Sequence, residues 1–168
     1  MKQTLAVAVV VLASVACSSS SAASNTGGGG GLGFTAAELC ALVTPDQVGA
    51  ALGRSVPAGV PSGVNAPSCT WTASDASGAT IAASDTGSVG KLPFGLQNNS
   101  GAHVTAIPNL GDAAYYAAPG GDFPGAELDL KKGGRAITIT AAIAGGSMTQ
   151  AQQEAVELAI AQAAVAHM

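Results

Sequence analysis

The sequence predicts an α+β domain in which helices pack on one face of an antiparallel sheet, with one disulfide. Two neighbouring segments, 127–131 and 137–143, alternate apolar and polar residues with a period of two. This alternation is typical of antiparallel strands that have one solvated face. Lys132-Gly133-Gly134-Arg135 between them predicts a hairpin turn. Helical patterns with capping boxes precede and follow the predicted strands, which completes the α+β pattern.

Two short helices are predicted at the start of the domain. The segment 35–43 has a helical pattern, and Thr44, Pro45 and Gln47 then form the N-terminal signature of a second helix. Gly53 follows the last apolar residue of that helix, where a left-handed residue commonly ends a helix. The sequence therefore predicts a helix–turn–helix entry into the domain.

The middle of the chain predicts a loop and then strands. The glycines and prolines of 54–67 predict a loop, and 68–74 predicts a strand with Cys69 and Trp71 on one face. Further strands are predicted at 79–84, 103–107 and 113–117. The segment 89–96 is compatible with a short helix or an irregular loop.

The chain ends with a predicted alanine-rich helix. Thr149 and Gln152 have the spacing of a capping box. The apolar residues with helical spacing that we expect to face the sheet are Val156, Ala159, Ile160 and Ala163.

The first residues have the order of a bacterial export signal. Lys2 is followed by an apolar run and by Ser14-Val15-Ala16-Cys17, which resembles a lipobox, although leucine is commonest at the position of Ser14. We expect 1–16 to be a lipoprotein signal peptide, with Cys17 carrying the lipid that anchors the chain at the outer face of the cell membrane. The alternative is cleavage after a small residue such as Ala23 and a freely secreted protein.

The predicted signal peptide is followed by a tether and one domain. Residues 17–33 are rich in serine and glycine and have little to bury, which predicts a flexible tether. Residues 34–168 are long enough for a single α+β domain.

The charge of the chain argues against nucleic acid as a partner. Loss of Lys2 with the signal peptide leaves five of the six basic residues against ten acidic ones. No basic stripe is available to neutralise phosphates, and aromatic residues are few. We therefore expect partners among envelope proteins, lipids or glycans.

Cys40 and Cys69 remain once Cys17 is lipidated, and they predict a disulfide. An even pair in an exported protein, with no histidine ligands nearby, favours a bridge over a metal site. A reactive or zinc-binding thiol pair is the alternative, but the C-x-x-C spacing is missing. On the chain-entropy model, closing a loop of about 30 residues stabilises by about 3–4 kcal/mol.

Three segments together resemble a known family. They are Cys40-Ala41-Leu42-Val43-Thr44-Pro45-Asp46-Gln47-Val48 through Leu52-Gly53, then Cys69-Thr70-Trp71, and then Leu110-Gly111-Asp112-Ala113-Ala114-Tyr115-Tyr116. Their order and spacing are similar to those of a family of actinobacterial lipoprotein domains of unknown function, found widely in mycobacteria. The resemblance implies an envelope location, a bridge between Cys40 and Cys69 and a helix-flanked sheet. It implies no activity.

The sequence favours a non-enzymatic binding or accessory module. No catalytic, metal-binding or cofactor-binding constellation is recognisable, and the expected binding surface comprises Tyr115, Tyr116, Thr138 and Thr140. One of the two adjacent tyrosines should face the core.

Three alternatives remain open. The first is a largely structural or antigenic surface protein, which the sequence alone does not separate from a binding module. An envelope hydrolase would use His103 or Asp112, which would have to converge in one pocket. An extracellular sensor-like domain is suggested only by analogy with similar actinobacterial envelope domains.

Overall fold

The computed structural model describes residues 33–93, 101–119, 125–145 and 148–168. Within these ranges the chain forms three helices and seven strands, and all strand pairs are antiparallel. In chain order the elements are α1 (Ala36–Ala41), α2 (Pro45–Leu52), β1 (Val60–Ser62), β2 (Ser68–Thr72), β3 (Gly78–Ser84), β4 (His103–Ala106), β5 (Ala113–Ala118), β6 (Glu127–Lys132), β7 (Arg135–Ala142) and α3 (Gln150–Ala164). The predicted α+β class is confirmed.

The strands form one sheet in the order β1-β2-β3-β7-β6-β5-β4. Most consecutive strands are neighbours, but β3 and β4 are separated by β7, β6 and β5. The connection after β3 therefore has to cross the sheet, and its described part, residues 85–93, is called the crossover below.

One face of the sheet contains the core. A row of directly paired residues runs across five strands and is almost completely buried. The row consists of Cys69, Ile81, Ile139, Leu128 and Tyr116. Helix α1 packs on β1, β2 and β3, while α3 packs on β6 and β7, and α2 packs on α3. The prediction that the helices cover one face is confirmed.

The disulfide joins this core to the first helix. Cys40 of α1 is bonded to Cys69 of β2, with 5.1 Å between their Cα atoms. Gly59 passes so close to the bridge that an added Cβ would lie 2.5 Å from the Cys69 sulfur and 2.6 Å from Trp71 Cε2. The predicted disulfide is confirmed, and a side chain at position 59 would disturb its packing.

The predicted helix ends are also confirmed. Thr44 and Thr149 each accept a hydrogen bond from the backbone of the third helical residue, and that residue's side chain binds back. Gly53 ends α2 with a φ of 67°, in the left-handed region where glycine is favoured.

Two segments differ from the prediction. The expected loop 54–67 contains the edge strand β1, and Pro61 is tolerated there because an edge strand has one unpaired side. The segment 89–96, which is compatible in sequence with a short helix or an irregular loop, contains no helix over 89–93. Residues 94–96 lie outside the described residues.

The buried face of α3 also differs from the prediction. Its buried residues are Gln153, Glu157, Ile160, Ala161 and Ala164. Only Ile160 belongs to the predicted apolar face, because two polar side chains turn inward and bind backbone groups of the sheet.

Residues 1–32, which include the predicted signal peptide and Cys17, lie outside the described residues. In the part of the chain that is described, no helix is sufficiently long and apolar to cross a membrane.

Candidate functional site

The face of the sheet opposite the helices, called the second face below, is lined by hydroxyl and carboxyl side chains. Thr70, Thr80 and Thr140 are paired in a row across β2, β3 and β7. Asp129 of β6 is paired with Thr138 of β7 on the same face. These side chains follow from the alternation of the strands, since every second residue points away from the helices.

The crossover covers part of the second face. Asp129 is 4% exposed beneath it, and its Oδ1 accepts a hydrogen bond from Thr138 Oγ1 over 2.7 Å. The backbone N–H of Gly90 faces the same carboxylate from the crossover. Gly90 also lies over the ring of Tyr115, so an added Cβ would be 2.9 Å from Cε2. Asp129 therefore holds the crossover against the sheet.

A cavity of about 560 Å³ lies between the crossover and the second face and is called the acidic cavity. Glu127 and Asp129 line it from the sheet, and Asp85 and Lys91 line it from the crossover. Burial, and then the neighbouring Asp129 charge, raise the pKa of Glu127 to about 7. Burial also raises the pKa of Asp129, although the Thr138 hydrogen bond opposes the shift. Glu127 thus titrates near neutral pH.

A second cavity of about 640 Å³, called the threonine cavity, lies on β2, β3 and β7. Among its described lining residues there is no charged side chain. Its polar lining consists of Thr70, Thr72, Thr80, Thr140 and Gln153. Its apolar walls include Ala142, Ile143 and Met148. The two cavities therefore offer different surroundings on one face of the same sheet.

Gln153 and Glu157 of α3 meet the sheet where β6 and β7 separate. The last register pair at this end joins Leu128 to Ile139. Beyond it, Glu157 Oε1 accepts from the Ala141 backbone N–H over 3.0 Å, and Gln153 Nε2 donates to the Ala126 carbonyl over 2.7 Å. The same Nε2 donates to Glu157 Oε1 over 3.0 Å. The two side chains therefore satisfy backbone groups that the strand ladder leaves free.

Glu157 is completely buried, and its surroundings favour the protonated carboxyl. Burial is the largest cause that raises the pKa of Glu157, to about 8, against the opposing hydrogen bonds from Gln153 and Ala141. Its Oε2 atom is buried and has no hydrogen-bond partner among the described residues. A charged form in this position would be poorly compensated, which is why the neutral acid is favoured.

Tyr116 does not belong to a binding surface, so this part of the sequence prediction is wrong. Its side chain is 1% exposed and its hydroxyl donates to the Gln150 carbonyl over 3.4 Å. Burial and the nearby Glu157 raise the pKa of the Tyr116 hydroxyl. Strand alternation had already required one of the two tyrosines to face the core.

The other three residues of the predicted surface lie on the second face. Thr140 is exposed and lines the threonine cavity. Thr138 is half-buried and lines the acidic cavity, and Tyr115 is half-buried under Gly90. The structure thus brings Thr138, Thr140 and Tyr115 to one side of the sheet.

His103 and Asp112 do not converge. His103 is paired with Ala118 at one end of β5, whereas Asp112 directly precedes Ala113 at the other end. The five residue steps of β5 from Ala113 to Ala118 alone place its two ends about 17 Å apart. Asp112 Oδ2 accepts from the Gly133 backbone N–H over 2.8 Å, so it stabilises a turn. A hydrolase site made of these two residues is therefore wrong.

In the described residues, no group of three or more histidine, cysteine, aspartate or glutamate side chains is arranged to hold a metal ion.

No protein-family model matches the chain, and neither a curated protein nor a solved structure is significantly similar to it. The resemblance to actinobacterial lipoprotein domains stays a prediction.

Sequence reasoning missed the inward-facing pair Gln153 and Glu157. A weak signal was present, because positions 153, 157, 160, 161 and 164 share one helical face when polar residues are counted with apolar ones. Glutamate usually faces solvent, so the sequence pattern places Glu157 on the exposed side of the predicted helix.

Proposed function

We propose that this chain is an exported envelope lipoprotein whose domain is a non-enzymatic binding module, with the second face as its binding surface. The observation that carries the proposal is the placement of two cavities against the second face, on which none of the described helices packs, with the threonine cavity also reaching Gln153 of α3. Their volumes of about 640 and 560 Å³ fall in the range of small-molecule sites, roughly 300–1,000 Å³.

The lining of these cavities supports a lipid or a glycan of the envelope as the ligand. Threonine methyl groups, alanines and Ile143 offer apolar contacts, while threonine hydroxyls and the Gln153 amide offer hydrogen bonds. The more accessible carboxylates of the acidic cavity, Asp85 and Glu127, can accept hydrogen bonds from hydroxyl groups, which glycans present in number.

The proposed lipid anchor would hold the domain near the membrane, and this limits where the domain can encounter a ligand. The lipid on Cys17 would be joined to the domain by no more than residues 17–33. We therefore propose that the domain meets its ligand close to the membrane surface.

The anchor is tested by the intact mass of the full chain recovered from the membrane fraction of an actinobacterial host. We expect a lipid-sized mass increment on the wild type that is absent from Cys17→Ala, together with release of the variant from the membrane. An unlipidated wild-type chain in the medium would contradict the lipoprotein proposal.

The binding surface is tested by NMR titration of the full ¹⁵N-labelled Cys17→Ala chain. The two probes are octyl glucoside below its critical micelle concentration, as a glycolipid analogue, and maltotriose, as a glycan. We expect one of the probes to shift backbone amides of β2, β3 and β7 while those of α1 and α2 stay unchanged. Shifts confined to the helical side, or no shifts with either probe, would contradict the proposed surface.

A further inference from the structure

The threonine cavity contains a hydrogen-bond acceptor in a fixed orientation, the side-chain carbonyl of Gln153. Its Nε2 donates to the Ala126 carbonyl over 2.7 Å and to Glu157 Oε1 over 3.0 Å. Both partners are acceptors, so the amide nitrogen is held on that side. The carbonyl oxygen, Oε1, is therefore the free end of the amide, on a residue that is 8% exposed and lines the cavity.

Oε1 has no hydrogen-bond partner in the described part of the chain. Both hydrogen bonds that the Gln153 side chain makes there are donated by Nε2. The fully buried side-chain atoms without a partner among the described residues are Arg135 Nε and Glu157 Oε2. Oε1 of Gln153 consequently keeps accessible surface in the cavity. Because this surface is accessible, Oε1 is free to accept a hydrogen bond from a donor that enters the cavity and displaces water.

The described lining of the threonine cavity disfavours burial of a charged group. The described lining residues carry no charge that could neutralise one, and transfer of an unpaired charge into such surroundings is unfavourable. The hydroxyls of Thr70 and Thr80 are 3.0 Å apart and bind each other. Ala141, Ile143 and Met148 provide apolar walls beside Gln153.

We infer that the threonine cavity binds an uncharged ligand that donates an O–H or N–H to Gln153 Oε1 and lays an apolar body along the walls. This inference rests on the proposed function and names the chemical class of its ligand. The donor is a hydroxyl if the ligand is an alcohol or a glycolipid, and an amide N–H if it is an amide-linked lipid.

A series of eight-carbon probes tests this inference by NMR titration of the full ¹⁵N-labelled Cys17→Ala chain at pH 7. Octanamide and 1-octanol supply the two kinds of donor. N,N-dimethyloctanamide removes the donor but keeps the chain and the carbonyl, and octanoate adds a negative charge. The Gln153 side-chain amide signal reports contact at the proposed place.

Octanamide or 1-octanol should bind and shift the Gln153 side-chain amide, and the tighter of the two identifies the donor. N,N-dimethyloctanamide should bind about 3- to 10-fold more weakly than octanamide, as expected for loss of one hydrogen bond. Octanoate should bind most weakly.

Equal binding of octanamide and its dimethyl analogue would overturn the role of Gln153 Oε1 and leave the proposed function standing. Equal or tighter binding of octanoate would overturn the requirement for an uncharged ligand. No binding of any probe would overturn this cavity as the ligand site, and the titrations with octyl glucoside and maltotriose would then decide the proposed function separately.

Discussion

Replacement of Glu157 by glutamine should remove a large part of the stability loss that we expect as the pH rises from 5 to 8, while the raised pKa values of Glu127 and Asp129 keep the remainder. Burial raises the pKa of Glu157 to about 8 in the folded protein, from a usual value of 4.5. The folded state therefore binds this proton more tightly than the unfolded chain does. Its stabilising contribution is complete below pH 4.5 and is lost progressively up to about pH 8.

The size of the stability change follows from the pH range between the usual and the raised pKa of Glu157. Within it, each pH unit lowers the free energy of unfolding by about 1.4 kcal/mol through this one group. Between pH 5 and 7, Glu157→Gln should therefore gain about 2–3 kcal/mol relative to the wild type. Glutamine preserves the acceptor for Ala141 N–H and Gln153 Nε2. The amide hydrogens that glutamine adds are not titratable, so any stability that they cost is the same at every pH. They do not change the slope of the unfolding free energy with pH.

The assay is urea unfolding at pH 5, 6, 7 and 8, followed by fluorescence of Trp71, the single tryptophan, which is buried in the core. Glu154→Gln is the matched control on the same helix, because Glu154 is only half-buried. The control should keep most of the wild-type slope. If Glu157→Gln has the same pH slope as the wild type, the carboxyl is not held neutral in the folded protein and the reasoning is refuted.

Two further predictions concern the crossover and the disulfide. Gly90→Ala should destabilise by about 2–3 kcal/mol in urea unfolding, through a left-handed φ of 79° and a clash with Tyr115. Gly133→Ala shares the left-handed strain but has open space around its Cβ, so it should cost only about 1–2 kcal/mol; equal losses would show that Gly90 does not press on Tyr115. The Cys40→Ala/Cys69→Ala double variant should lose about 3–4 kcal/mol, and an unchanged unfolding midpoint would contradict a bridge in the isolated protein.

Local signals predicted much of the fold because they depend on few neighbours. The caps at Thr44 and Thr149, the left-handed Gly53 and the Gly133-Gly134 hairpin each follow from the chemistry of one or two residues. The alternation of the strands similarly predicted that Cys69 and Trp71 share a buried face.

The strand order was beyond local reasoning. Hairpins predict neighbours, but the insertion of β7 between β3 and β6 depends on which long connection crosses the sheet. The crossover also changed the character of the second face. Asp129 looks like a solvated strand residue in the sequence, yet the crossover buries it.

Local sequence signals predicted only part of the candidate site. Thr138, Thr140 and Tyr115 lie on the second face because alternation governs their direction. Gln153 and Glu157 were missed because their partners, Ala126 and Ala141, are distant in sequence and become available only where two strands separate.

The central claim, that the second face binds an envelope ligand, is tested most directly by closing the threonine cavity. Thr140→Trp places a large side chain in the cavity, and Thr105→Trp is a matched control on β4, where the exposed threonine lines neither cavity. The octyl glucoside and maltotriose titrations are repeated on both folded variants. The account predicts at least about tenfold weaker binding of the active probe by Thr140→Trp and wild-type affinity for Thr105→Trp. Wild-type affinity in Thr140→Trp, or equal loss in both variants, would contradict it.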